Sequence, residues 1–177
     1  MYTHISTKRN AGGLYQMRAK TNYAERPSAY EIKDGDVGQK IICFRKNIEE
    51  VETEDGTQYT ADEYTLIVPT SQALNKRIEA NFDVWLNKAV QEDYERAAAE
   101  VRAARDKLLA ESDKEMVLDR LGLEAPTGTT FSAYLSFLKT IAEMVAGSWA
   151  QYRQALRDIT AQDGFPYNVD FPQKPQK

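Results

Sequence analysis

A chain of 177 residues, 42% apolar and 28% charged, is long enough to bury a core without staples and too apolar for wholesale disorder. Its charge is dispersed, with 9 basic and 11 acidic residues up to Pro69 and 14 and 16 after it, so there is no basic arm for nucleic acid and no basic amphipathic face for a membrane surface. A single cysteine, Cys43, and a single histidine, His4, exclude an intramolecular disulfide and a Cys/His zinc site.

The opening Met1-Tyr2-Thr3-His4-Ile5 has no apolar run of the signal-peptide kind, and no stretch approaches the roughly 18 apolar residues of a membrane span. The expectation is a soluble protein made in a reducing cytoplasm.

Residues 1–69 read as short strands and turns. Tyr30-Glu31-Ile32-Lys33 alternates, Lys40 to Phe44 is a compact apolar run, and Gly35 and Gly38 punctuate the stretch between them. Asp55-Gly56 lies between alternating segments and accepts the positive φ of a type I′ turn, so a hairpin is expected there. Tyr64 to Val68 reads as a further strand, stopped by Pro69.

After Pro69 the pattern changes. Thr70 and Ser71 are N-cap candidates, and neither Gly nor Pro follows until Gly122. Apolar residues recur at Leu74, Ile78, Phe82, Trp85 or Leu86, Val90, Tyr94, Ala97, Val101, Ala104 and Leu108, one stripe on a long helix. From Val90 to Leu108 the spacing is that of heptads, so Val90, Tyr94, Ala97, Val101, Ala104 and Leu108 form a candidate coiled-coil seam between subunits. The competing expectation is that the stripe packs on later helices of the same chain.

A second helical segment is expected from Asp113 to Leu121, ended by Gly122, followed by a loop at Glu124 to Thr129. Thr130 can cap the next helix, which carries the apolar set Phe131, Tyr134, Leu135, Phe137, Leu138, Ile141, Met144 and Val145. Gly147-Ser148 interrupts it before Trp149, Tyr152, Leu156 and Ile159 continue the period. Asp163-Gly164 stops the helix, and Phe165 to Pro172 is an extended, proline-bounded tail whose aromatics suggest docking on a surface.

Reactive constellations are missing. His4, in Tyr2-Thr3-His4-Ile5-Ser6, reads as one position of a strand, and Cys43, between Ile42 and Phe44, as a small core hydrophobe. Asp34-Gly35-Asp36 is a turn, since no oxygen-rich spacing or twelfth-position Glu follows. Gly12-Gly13 lacks the phosphate-cradling pattern and reads as a loop or strand break. The pairs Glu49-Glu50, Asp62-Glu63 and Glu92-Asp93 read as a solvated face, with Glu92 and Arg96 a favourable i,i+4 pair and Glu111 and Glu115 an unfavourable one. No catalytic residue, cofactor or metal site is expected.

Val101-Arg-Ala-Ala-Arg-Asp-Lys-Leu-Leu-Ala-Glu-Ser-Asp113, Trp149-Ala-Gln-Tyr152-Arg153-Gln-Ala-Leu156-Arg157-Asp158 and the close from Gly164-Phe165-Pro166 to Phe171-Pro172-Gln-Lys174-Pro175 resemble, in order and spacing, the phage tail assembly chaperone family. A similar close occurs in tail fibre assembly proteins. The resemblance covers about residues 101–175. It departs at Lys114 to Ser148, a helical stretch where the family usually has a short connector, and at Phe171, where the family usually has Trp.

The resemblance implies a partner: a phage tail or tail-fibre protein. Trp149, Tyr152, Leu156, Phe165 and Phe171 are expected to cluster, either as a partner-binding groove or simply as the small domain's core. Arg153 and Arg157 would lie on one helix face within reach of acidic groups.

The fold expected is α+β: a β-rich module at 1–69, a long amphipathic helix at 70–111, and a helical region with its tail at 112–177. The expected function is non-catalytic binding of tail proteins during assembly, in the host bacterial cytoplasm, with homo-oligomerisation through the helix and no nucleic-acid or membrane partner. The rival expectations are a permanent virion subunit, an inhibitor of a host defence enzyme, and an enzyme built on Asp34, Asp36 and Asp62.

Overall fold

The computed structural model describes residues 5–10, 13–18, 20–54, 56–115 and 130–175. His4, Gly12, the helix end expected at Leu121 and Gly122, and the loop at Glu124 to Thr129 lie outside them. The architecture is α+β. It divides into two compact units, Met1–Ser6 with Met17–Ala98, and Thr7–Gln16 with Ala99–Lys177. They part inside a long helix.

The first unit is built on a four-stranded antiparallel sheet of order β3-β6-β5-β4, from β3 (Thr21–Tyr23), β4 (Tyr30–Asp34), β5 (Gln39–Thr53) and β6 (Gly56–Pro69). Tyr64 to Val68 is not a separate strand. It is the end of β6, which runs unbroken from Gly56 and pairs Leu66 with Ile42 and Tyr64 with Phe44.

The β5–β6 hairpin forms where Asp55-Gly56 placed it, but Thr53 pairs with Gly56, so Gly56 closes the turn at φ 115° instead of lying at its centre. A register shift between Lys46 and Glu49 bends β5, with Asn47 at φ 53° and its amide on Asp62 at 2.7 Å. Asn tolerates that left-handed backbone better than most residues, which suits it to a bulge.

Paired residues point to one face, and here the two faces differ in chemistry. One face carries Ile42, Phe44, Leu66 and Val68, packed with Leu74, Ile78 and Ala89 from the helices that follow. Tyr30, Phe44 and Phe82 form a tilted aromatic trio with ring centroids 5.8–6.3 Å apart. Each fully buried Ile, Leu or Phe here contributes about 1.5–3 kcal/mol.

The other face holds Arg45 opposite Glu63, with both side chains nearly closed to solvent at 6% and 7% exposure. Arg45 Nε donates to Glu63 Oε1 at 3.2 Å and to the Tyr23 hydroxyl at 2.9 Å. The Tyr23 hydroxyl donates to Glu63 in turn. Arg45 Nη2 reaches Glu31 at 2.7 Å, and Nη1 reaches the Ser28 carbonyl at 3.2 Å. Burial, and then the carboxylate of Glu63, push the Tyr23 phenol up to about 12.

The expected single helix from 70 to 111 is two helices, α1 (Leu74–Ala80) and α2 (Phe82–Glu115). Neither Thr70 nor Ser71 is the cap. Ala73 holds that position at φ 55°, while Thr70 N donates to the Gly38 carbonyl at 2.8 Å and Ser71 accepts from Arg77. The break falls at Asn81, whose N–H bonds back to Ile78 and whose carbonyl starts α2 by accepting from Val84 and Trp85. Asn is at home in such a cap position. α2 then runs through Asp113 without a break. Arg96 pairs with the buried carboxylate of Asp93 rather than with Glu92, which lies 3.9 Å from Lys88.

In the second unit, α3 (Phe131–Ala146) follows Thr130, which takes the extended N-cap conformation without a side-chain cap bond. Gly147 separates it from α4 (Ser148–Arg157), and a 3₁₀ turn at Asp158–Ala161 leads to β7 (Asn168–Asp170). The strands β1 (Ile5–Asn10) and β2 (Gly13–Arg18) join β7 in a sheet of order β1-β2-β7.

Candidate protein-docking surface

The aromatic residues singled out in the sequence do come together. Tyr152, Leu156, Ile159, Val169 and Phe171 form a buried cluster with Val101, and Trp149, Phe165, Ala104, Leu108 and Leu109 pack against it. Trp149 meets Tyr152 edge-on at 5.9 Å. Tyr152, Leu156 and Phe171 are 6%, 0% and 4% exposed. Tyr152, Leu156 and Phe171 are part of a core, with Trp149 and Phe165 half-buried at its margin. Burial, followed by the nearby Glu111, raises the Tyr152 phenol above its ordinary value.

The tail is fastened at several points. Phe165 N and Asn168 N donate to the carbonyls of Gln162 and Gly164 at 2.9 and 2.7 Å. The Gln162 amide donates to Asp170 O at 2.8 Å and accepts from Asp170 N at 2.9 Å, satisfying one edge of β7. A Cβ at Gly164 would stand 2.0 Å from the Asn168 carbonyl oxygen, so this close approach admits only glycine. Lys174 lies over the Trp149 ring at 5.6 Å and 3.8 Å from Glu115, and Arg102 lies over Phe165 at 5.6 Å.

The two arginines of α4 diverge in role. Arg153 Nη1 donates to Ser112 Oγ at 2.6 Å and pairs with Asp113, while Ser112 Oγ donates to Leu109 O. It thus ties α4 to the Ala-Glu-Ser-Asp end of α2. Arg157 is exposed.

The candidate seam is equally divided. Ala97 and Val101 are fully buried, Ala104 and Leu108 pack in the second unit's core, Val90 is half-buried and Tyr94 is 39% exposed. Val101, Ala104 and Leu108 are therefore used within the chain.

Open apolar side chains gather on α3, apart from scattered ones such as Val37, Ile67 and Val84. On α3, Phe131, Tyr134, Leu135 and Leu138 are 78%, 57%, 48% and 44% exposed. Their spacing of i, i+3, i+4, i+7 places them along one helix face, while Ala133, Phe137 and Ile141 are the half-buried positions. The sequence marked this helix as unusually apolar, but not which of its faces stays uncovered. Among the described residues, no group of three or more His, Cys, Asp or Glu side chains could hold a metal ion, and no helix is long and apolar enough to cross a membrane.

Residues 98–176, just under half of the chain, match the family model described as phage tail assembly chaperone protein. The resemblance read from the C-terminal motifs is borne out over that region, and it supports a role in phage tail assembly. No curated protein and no solved structure matches the chain.

Proposed function

We propose that this chain is a non-catalytic phage protein that binds a tail or tail-fibre protein during assembly and lets it go. The observation that carries this reading is the family match, which spans the second half of α2, α3, α4 and the fastened tail. The setting is the cytoplasm of the infected host, where tails are put together. The physical content is hydrophobic: a protein with open apolar side chains can cover apolar surface on another chain until a permanent neighbour replaces it. The buried aromatic cluster and the Arg153 tie hold the unit that presents such side chains.

Co-expression of the full chain with the tail and tail-fibre proteins of the same phage tests the reading. One of those proteins is expected to stay in solution and co-purify only when the chain is present. If all of them behave alike with and without it, the reading fails.

A further inference from the structure

We infer that the exposed face of α3, formed by Phe131, Tyr134, Leu135 and Leu138, is a docking face for one apolar helix of the tail protein, held transiently. The inference rests on the assembly reading above and names the surface, the kind of partner and the lifetime.

The spacing i, i+3, i+4, i+7 is that of the anchors by which one helix engages another. Between Phe131 and Ala146 the sequence has only Lys139 and Glu143 as charged residues, and the exposed Lys139, eight positions after Phe131, lies at the edge of the stripe. The matching partner surface is therefore apolar and nearly uncharged.

Area selects the occupant. The four side chains expose on the order of 400 Å², within the range of functional patches on single proteins. A stable pair of copies needs about 800 Å² from each, so this stripe is too small to seat a second copy durably. A short helix is the better fit, and an interface of this size belongs to the short-lived class. Of the seam residues of α2, Val101, Ala104 and Leu108 are used within the chain and add nothing to a self-association surface. Nor do Tyr152, Leu156 and Phe171 of α4 and the tail, which are buried.

The test uses the full chain co-expressed with the tail protein that the unmodified chain retains. Leu135→Asp combined with Leu138→Asp should lower its recovery about tenfold or more, with unchanged circular dichroism of the chain alone. Phe131→Ser, at the most open position, should lower it too and guards against a folding failure of the double variant. Thr140→Ala, on the opposite side of α3 by helical spacing, should leave it unchanged. Equal recovery with the unmodified chain, the double variant and Phe131→Ser overturns the docking face and leaves the assembly reading standing. No retained tail protein with the unmodified chain overturns both. A stable dimer in light scattering that both stripe variants abolish overturns the choice of occupant in favour of a second copy.

Discussion

Arg45→Met is expected to destabilise the first unit by about 3 kcal/mol, at the lower end of the cost of breaking a buried ion pair. Removing the guanidinium takes a charged partner from the Glu63 carboxylate, which is buried at 7% exposure and also accepts from the hydroxyls of Tyr23 and Thr21. Adding Glu63→Gln should recover part of the loss, because the buried charge goes with its partner. Lys20→Ala, which removes an ion pair with both side chains well exposed, should leave the melt almost unchanged. Thermal melts followed by far-ultraviolet circular dichroism compare the three.

The same network sets a pH window. Glu31 is held below its ordinary value, first by its hydrogen bond from Arg45, so its contribution is present above about pH 4.5 and fades as pH falls through the lowered value. Tyr23 is raised from 10.0 to about 12, so its contribution is complete below pH 10 and is lost as pH rises through 12. The first unit should be most stable between those limits.

Gly164→Ala is expected to release the tail, at a cost of about 3 kcal/mol. The added Cβ meets a backbone oxygen at 2.0 Å, which no rotamer change relieves. Opening the turn withdraws the support for Pro166, Val169 and Phe171, all buried, and moves Lys174 from the face of Trp149. With Trp85 as the only other tryptophan, a Trp85→Phe background makes fluorescence a direct report on Trp149. The variant should show a changed Trp149 emission and faster protease cleavage after residue 164. An unchanged spectrum and cleavage rate would mean that the turn accommodates a methyl group.

Much of this molecule is local and therefore legible. The Asp-Gly signal located the β5–β6 hairpin, Gly147 the break between α3 and α4, and the aromatic spacing the cluster around Tyr152 and Leu156. What escaped depends on distant neighbours or on competing local choices. Asn81 breaks the long helix without a Gly or Pro, since it satisfies the backbone on both sides of the break. Glu63, with Asp62, reads from sequence as part of a solvated face because its burial beside Arg45 follows from register across the hairpin. The addition of β1 and β2 to β7 joins the two ends of the chain, and no short-range pattern announces it.

The docking face shows the same division. The stripe on α3 was visible as apolar residues at helical spacing, while the seam on α2 was visible in the same way. Only packing distinguishes them: Val101, Ala104 and Leu108 are covered by α4 and the tail, and Phe131, Tyr134, Leu135 and Leu138 stay open. Periodicity identifies a face that needs a neighbour and is silent on whether that neighbour belongs to the same chain.

Quantitative mass spectrometry of infected cells and of purified particles tests the central claim, that this chain holds a tail protein only while the tail is being built. The account predicts the chain bound to a tail or tail-fibre protein in the lysate before particles mature, and its absence from finished virions. A fixed copy number in the purified particles, or a lysate in which it binds no tail component, would contradict it.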